Sequence, residues 1–125
     1  MSFFEAVSSC LSQYATFRGR ATRAEFWWFF LFVLLASLII QALFMAFAGP
    51  LGGSMAVLAF GIAMLLPSLA VGARRLHDMD YSGWWQLLHL IGIGTLVLWI
   101  WMMFPGSKDT NRFGPACVDP DALSE

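Results

Sequence analysis

Charge is what this 125-residue chain has least of. Seven Lys or Arg and eight Asp or Glu make up 12% of it, against roughly 25% in soluble domains. Between Glu25 and Arg74 no charged side chain occurs at all. The 59% hydrophobic content exceeds what a soluble core of this size holds, so a lipid bilayer is the natural solvent. A net charge of −1 supplies no global basic field, which excludes a nucleic-acid partner. Cysteine is scarce too, and neither Cys10 nor Cys117 sits in a metal-ligand spacing. The chain has no HExxH, no serine in a nucleophile elbow and no paired carboxylates outside one loop, so no catalytic residue, metal or cofactor is expected. The start lacks the basic residues and continuous apolar centre of a signal peptide.

Three long apolar runs are present. Phe26 to Phe47 is uncharged over about 22 positions, or roughly 33 Å of helix, against a hydrocarbon core of about 30 Å. Met55 to Ala73 is shorter and equally uncharged, and Trp84 to Phe104 has His89 as its only titratable group. The expected fold is an all-α integral membrane protein in one domain, an amphipathic N-terminal helix followed by a three-helix transmembrane bundle. Residues 1–23 form the interfacial and basic segment, 26–47, 55–73 and 84–104 the spans, and 105–125 a polar tail. "AGPLGGS", residues 48 to 54, reads as a short uncharged hairpin. Pro67 withholds an amide from the Ala63 carbonyl and predicts a kink that Ser68 or another helix must satisfy.

Before the first run, Phe3, Val7, Cys10, Leu11, Tyr14 and Phe17 recur at helical spacing. Such a helix lies in the headgroup plane or packs on the bundle. "TRAE", Thr22 to Glu25, then fits a capping box in which hydroxyl and carboxylate both satisfy backbone amides.

Basic residues set the orientation. With the N-terminus in the cytoplasm, Arg18, Arg20, Arg23, Arg74 and Arg75 are inside, five of the seven, whereas Lys108 and Arg112 follow the third run. Trp27, Trp28, Trp84 and Trp85 would then mark the inner interface, and Trp99 and Trp101 the outer one. Three crossings put residues 105–125 outside and keep Cys10 and Cys117 apart.

Three blocks carry a resemblance: "FRGRATRAEFW" at 17 to 27, "RRLHDMDYSGWW" at 74 to 85 and "PGSKDTNRFGP" at 105 to 115. Together they resemble the bacterial inner-membrane family of unknown function called DUF805. The resemblance falls on Gly19, Arg20, Arg23, Glu25, Phe26 and Trp27, on Arg74, Arg75, His77, Asp78, Ser82, Gly83 and Trp84, and on Asn111, Phe113 and Gly114. It implies an inner (plasma) membrane location and leaves activity open. Asp80 stands where the family often has glycine, and "ACVDP" follows Pro115 where members commonly reach Asp-Pro sooner.

The polar cluster between the second and third runs admits three readings. In the first, the arginines are end-posts at the membrane surface, Asp78 pairs with them or with Arg20 or Arg23, and Ser82 caps the third helix. In the second, Arg18, Arg20, Arg23, Arg74 and Arg75, with Glu25, His77 and Asp78 beside them, bind anionic lipid headgroups or a phosphorylated ligand. In the third, His77, Asp78, Asp80 and His89 serve an enzyme as base or metal ligands. The first is preferred, giving a non-enzymatic protein that binds or organises other membrane components. Its partners are the lipid bilayer and, with Gly61, Gly92 and Gly94 permitting close helix contact, a second copy or another membrane protein.

Overall fold

A computed structural model describes residues 2–107 and 109–115. Lys108, Cys117 and the "ACVDP" segment fall outside them. The chain folds into helices α1 (Phe3–Ser12) and α2 (Arg23–Asp78), a 3-10 helix (Gly83–Leu90) and α3 (Gly92–Trp101).

Ser2 starts α1 by accepting from the Glu5 amide, the hydroxyl cap expected of serine at that position. Ala6 and Cys10 are fully buried, and the Phe3 ring meets Trp28 and Phe32 at centroid distances of 5.9 and 6.3 Å. The helix therefore packs on the bundle. It stops at Ser12, so Tyr14 and Phe17 do not share its apolar face, and together with Leu11 they stay 39–40% exposed.

Helix α2 is two arms joined at Gly49, whose φ of 77° is a left-handed conformation that costs glycine little. Pro50 opens the second arm, where a missing amide breaks no hydrogen bond. The turn is therefore tighter than the seven-residue hairpin expected at 48–54. The arms, residues 23–48 and 50–78, run antiparallel: Phe60 meets Phe32 at 6.5 Å and Arg74 reaches Glu25. Each arm is longer than the roughly 30 Å of a hydrocarbon core. Only 6% of its most apolar window, of mean hydropathy 2.6, is buried within the chain. Pro67 remains inside the second arm, and the Tyr14 hydroxyl donates to the Ala63 carbonyl that Pro67 leaves without an amide.

Residues 84–104 depart from the expected single helix. The 3-10 helix and α3 meet at Ile91, an extended residue with φ −103° and ψ 127°, and neither reaches the length of a crossing. The chain doubles back there. Trp101 consequently returns to Tyr81 and Trp85, at 4.4 and 5.6 Å between ring centroids. The Ser107 amide donates to the Asp78 carbonyl at 2.6 Å, so the segment ends where it began. Ser107 thus lies beside Asp78, where a single straight helix over 84–104 would have carried it a helix length away. An uninterrupted run of apolar residues is equally compatible with a straight helix and with a folded-back pair.

Candidate functional site

The three polar blocks converge on Arg20. Its Nε and Nη2 lie 2.9 and 2.8 Å from Asp78 Oδ1. Nη2 also donates to the Ser107 carbonyl at 2.5 Å, and Nη1 to those of Asp109 and Gly114 at 3.0 and 3.3 Å. A planar guanidinium with five donors can bind several acceptors at once, as a lysine could not. Asp78 takes Arg75 Nη1 on its other oxygen, Oδ2, at 2.5 Å, and Arg75 Nη2 donates to the Phe104 carbonyl. Gly106 passes so close to the Asp78 carboxylate that a Cβ there would collide with it.

A second buried pair lies beside the first. Arg74 Nη1 donates to Glu25 Oε1 at 2.9 Å, and the same oxygen accepts from Ser9 Oγ at 2.9 Å and Cys10 Sγ at 3.6 Å. Thr22 Oγ1 caps α2 by accepting from the Glu25 amide at 3.1 Å. The expected capping box is thus half made, because the glutamate turns to Arg74 instead. Burial, with the Glu25 carboxylate next to it, pushes the Cys10 thiol up to about 12 and keeps it protonated. Arg74 Nε and Nη2 find no acceptor among the described residues, a cost of about 1–3 kcal/mol for a buried donor.

The side chains of Arg20, Arg74 and Arg75 are 0–2% exposed. Arg18 and Arg23 are exposed, and Arg23 donates to the Met103 carbonyl at 3.1 Å. The five arginines thus divide into two groups. Three are buried with internal partners and two face outward.

His77 sits at the edge of this buried cluster, half-buried. Its Nδ1 is 3.0 Å from the Gly19 carbonyl, which can only accept, so Nδ1 carries the proton and Nε2 of the neutral ring is an acceptor. Its ring stacks on Phe113 at 4.0 Å and 5°. Burial lowers its pKa, as does the nearby Arg112, against the opposing pull of the Gly19 carbonyl. Asn111 fixes this arrangement by donating to the His77 carbonyl at 2.9 Å and accepting from the Phe113 amide. His89 instead faces Thr95 Oγ1 at 3.1 Å, and no group of three or more potential metal ligands forms among the described residues.

Asp80 adopts φ 63°, the left-handed region in which glycine is at ease and aspartate is tolerated. Its carboxylate pairs with Arg112 at 3.3 Å on the surface. Ser82 caps the 3-10 helix through the Trp84 amide, Gly83 lies against Ala73, and Trp84 itself is 78% exposed. Trp27 packs edge-on against Phe26 and Phe30. Sequence spacing did not single out Gly106 or Ser107, whose contacts to residue 78 arise only when the chain doubles back.

Residues 14–115 match the family described as "Protein of unknown function (DUF805)". The inner membrane protein YhaH of Escherichia coli (strain K12) is 40% identical over 108 residues, covering 84% of this chain and 89% of that protein. Inner membrane protein YhaI of the same strain is 38% identical over 109 residues, covering 85% and 89%. No solved structure matches. These relatives support a bacterial inner-membrane location for the long apolar helix. The match runs through all three polar blocks, and the chain belongs to the DUF805 family.

Proposed function

We propose that the protein is a non-enzymatic inner-membrane component that binds or organises other membrane constituents from a rigid platform on one side. The observation that carries this is the saturation of Arg20 by Asp78 and by three carbonyls of the returning tail. Such a guanidinium holds the chain together and has little capacity left for a ligand.

The same contacts support a membrane placement that completes this reading. The two arms of α2 cross, and residues 84–104 enter and leave on one side, a folded-back segment tolerated where protein covers its backbone. Among the described residues all six arginines then fall on that side, against five with three crossings, which favours a cytoplasmic N-terminus and a tail that starts there too.

Asp78→Asn tests the structural role of the cluster. It leaves Arg20 and Arg75 buried beside a neutral amide, a loss of about 3–5 kcal/mol for a broken buried pair. Thermal unfolding of the purified variant in detergent should shift down accordingly. A variant that melts like the parent but loses phosphate binding would make the cluster a ligand site. Metal-dependent turnover abolished by His77→Ala would overturn the non-enzymatic half of the proposal.

A further inference from the structure

Beside the platform, a groove of about 610 Å³ runs from the second arm to the 3-10 helix, within the range of about 300–1,000 Å³ common for ligand sites. One end is walled by Leu69, Ala73 and Leu87, in apolar stretches of the chain. The other is closed by Phe17 and Phe113, which belong to the polar blocks. No acidic or basic side chain other than His77 lines it.

Its polar groups are mostly committed. Gln86 Nε2 donates to the Leu69 carbonyl at 3.0 Å, and Ser82 Oγ accepts from the Trp84 amide at 3.3 Å. His77 spends Nδ1 on Gly19 and keeps Nε2 as an acceptor on the groove side, near Gly83. Two arginines adjoin Phe17 and Phe113 in the chain, outside the groove lining itself. Arg18 follows Phe17, is exposed and makes no ion pair among the described residues. Arg112 lies over the Phe113 ring, 4.9 Å from its centroid, and its ion pair with Asp80 is solvent-exposed, so a phosphate would compete with that carboxylate for the guanidinium. A ligand that fits is apolar along one half, anionic at the other, and carries a hydroxyl donor at the anionic end.

We propose that the groove is a site for an anionic phospholipid of the phosphatidylglycerol class. One acyl chain lies along Leu69, Ala73 and Leu87, the phosphate rests at Arg18 and Arg112, and a headgroup hydroxyl donates to His77 Nε2. This rests on the membrane placement above but not on the structural role of the buried cluster, since neither rim arginine belongs to it.

The test is native mass spectrometry of the purified protein titrated with phosphatidylglycerol or phosphatidylcholine, in wild type, Arg18→Gln/Arg112→Gln and Leu87→Trp. Wild type should retain phosphatidylglycerol preferentially, and the preference should fall about fivefold per arginine removed, the weight of one basic side chain near anionic lipid. Leu87→Trp, which fills the groove, should lower occupancy by both lipids. Both arginines are exposed and the Arg112–Asp80 pair is a surface one of small weight, so unfolding curves of the double variant should stay close to wild type and keep the result readable if the tryptophan variant misfolds. Equal retention of the two lipids, or a double variant that binds like wild type, would overturn the proposal. So would a copurifying quinone, or a second copy of the chain, displaced by Leu87→Trp in place of phospholipid. A change in cluster stability alone, through Asp78→Asn, would bear on the platform and not on this site.

Discussion

The Tyr14 hydroxyl donates to the Ala63 carbonyl, the one group in the second arm that Pro67 deprives of its helical partner. A residue just past α1 thereby repairs a defect 49 positions along the chain. In lipid, an unmet carbonyl has no water to turn to.

Tyr14→Phe should therefore destabilise the fold by roughly 1 kcal/mol, the size of interhelical hydrogen bonds measured in membranes. Pro67→Ala restores an amide to the arm and should erase most of that cost. Chemical unfolding of the two single variants and the double variant, as a cycle, checks the coupling. Additive effects would separate Tyr14 from the proline.

Gly106 passes against the Asp78 carboxylate, so Gly106→Ala forces the returning tail away from Arg20 and Arg75. The expected cost is about 1–3 kcal/mol, typical of overpacking. Limited proteolysis after residue 104 should also become faster in this variant than in wild type. Unchanged proteolysis and stability would show that the tail is not clamped there.

His77 gives the platform a pH dependence of known sign. Its pKa is lowered from 6.5 in the folded chain by burial and Arg112, so the unfolded chain binds the proton more readily. The stability this neutral ring contributes is complete above about pH 6.5 and falls as pH drops toward the lowered folded value. His77→Gln should flatten the melting temperature between pH 7.5 and about pH 5 relative to wild type. Carboxylates of the cluster titrate in both proteins, so the difference between the two curves isolates the imidazole.

Local signals in the sequence carried the helix starts well. Thr22 and Ser82 cap the elements that follow them, and the uncharged stretch from 26 to 73 becomes the two arms. The spacing of Arg75 and Asp78 by three made their pairing legible. Partners far apart in sequence were not legible in that way. Glu25 reads as half of a capping box until Arg74 arrives from 49 positions away. The doubling back at Ile91 was hidden for a different reason. Residues 84–104 are apolar almost throughout, and hydropathy reports only their affinity for lipid, not whether the chain goes straight through or returns. The contacts of Gly106 and Ser107 with Asp78 follow from that return.

Membrane sidedness of the tail tests the convergence of the three blocks most directly. Cys117 lies two positions beyond Pro115, and Cys10→Ser leaves it as the only thiol in the chain. Spheroplasts carrying this variant are treated with a membrane-impermeant maleimide, and detergent-opened cells show that Cys117 can react. Protection in intact spheroplasts with full labelling after opening is the predicted result, because Arg20, Asp78 and the tail then share the cytoplasmic side. Labelling of intact spheroplasts would place the tail outside, restore a third crossing by residues 84–104, and contradict the Arg20-centred platform.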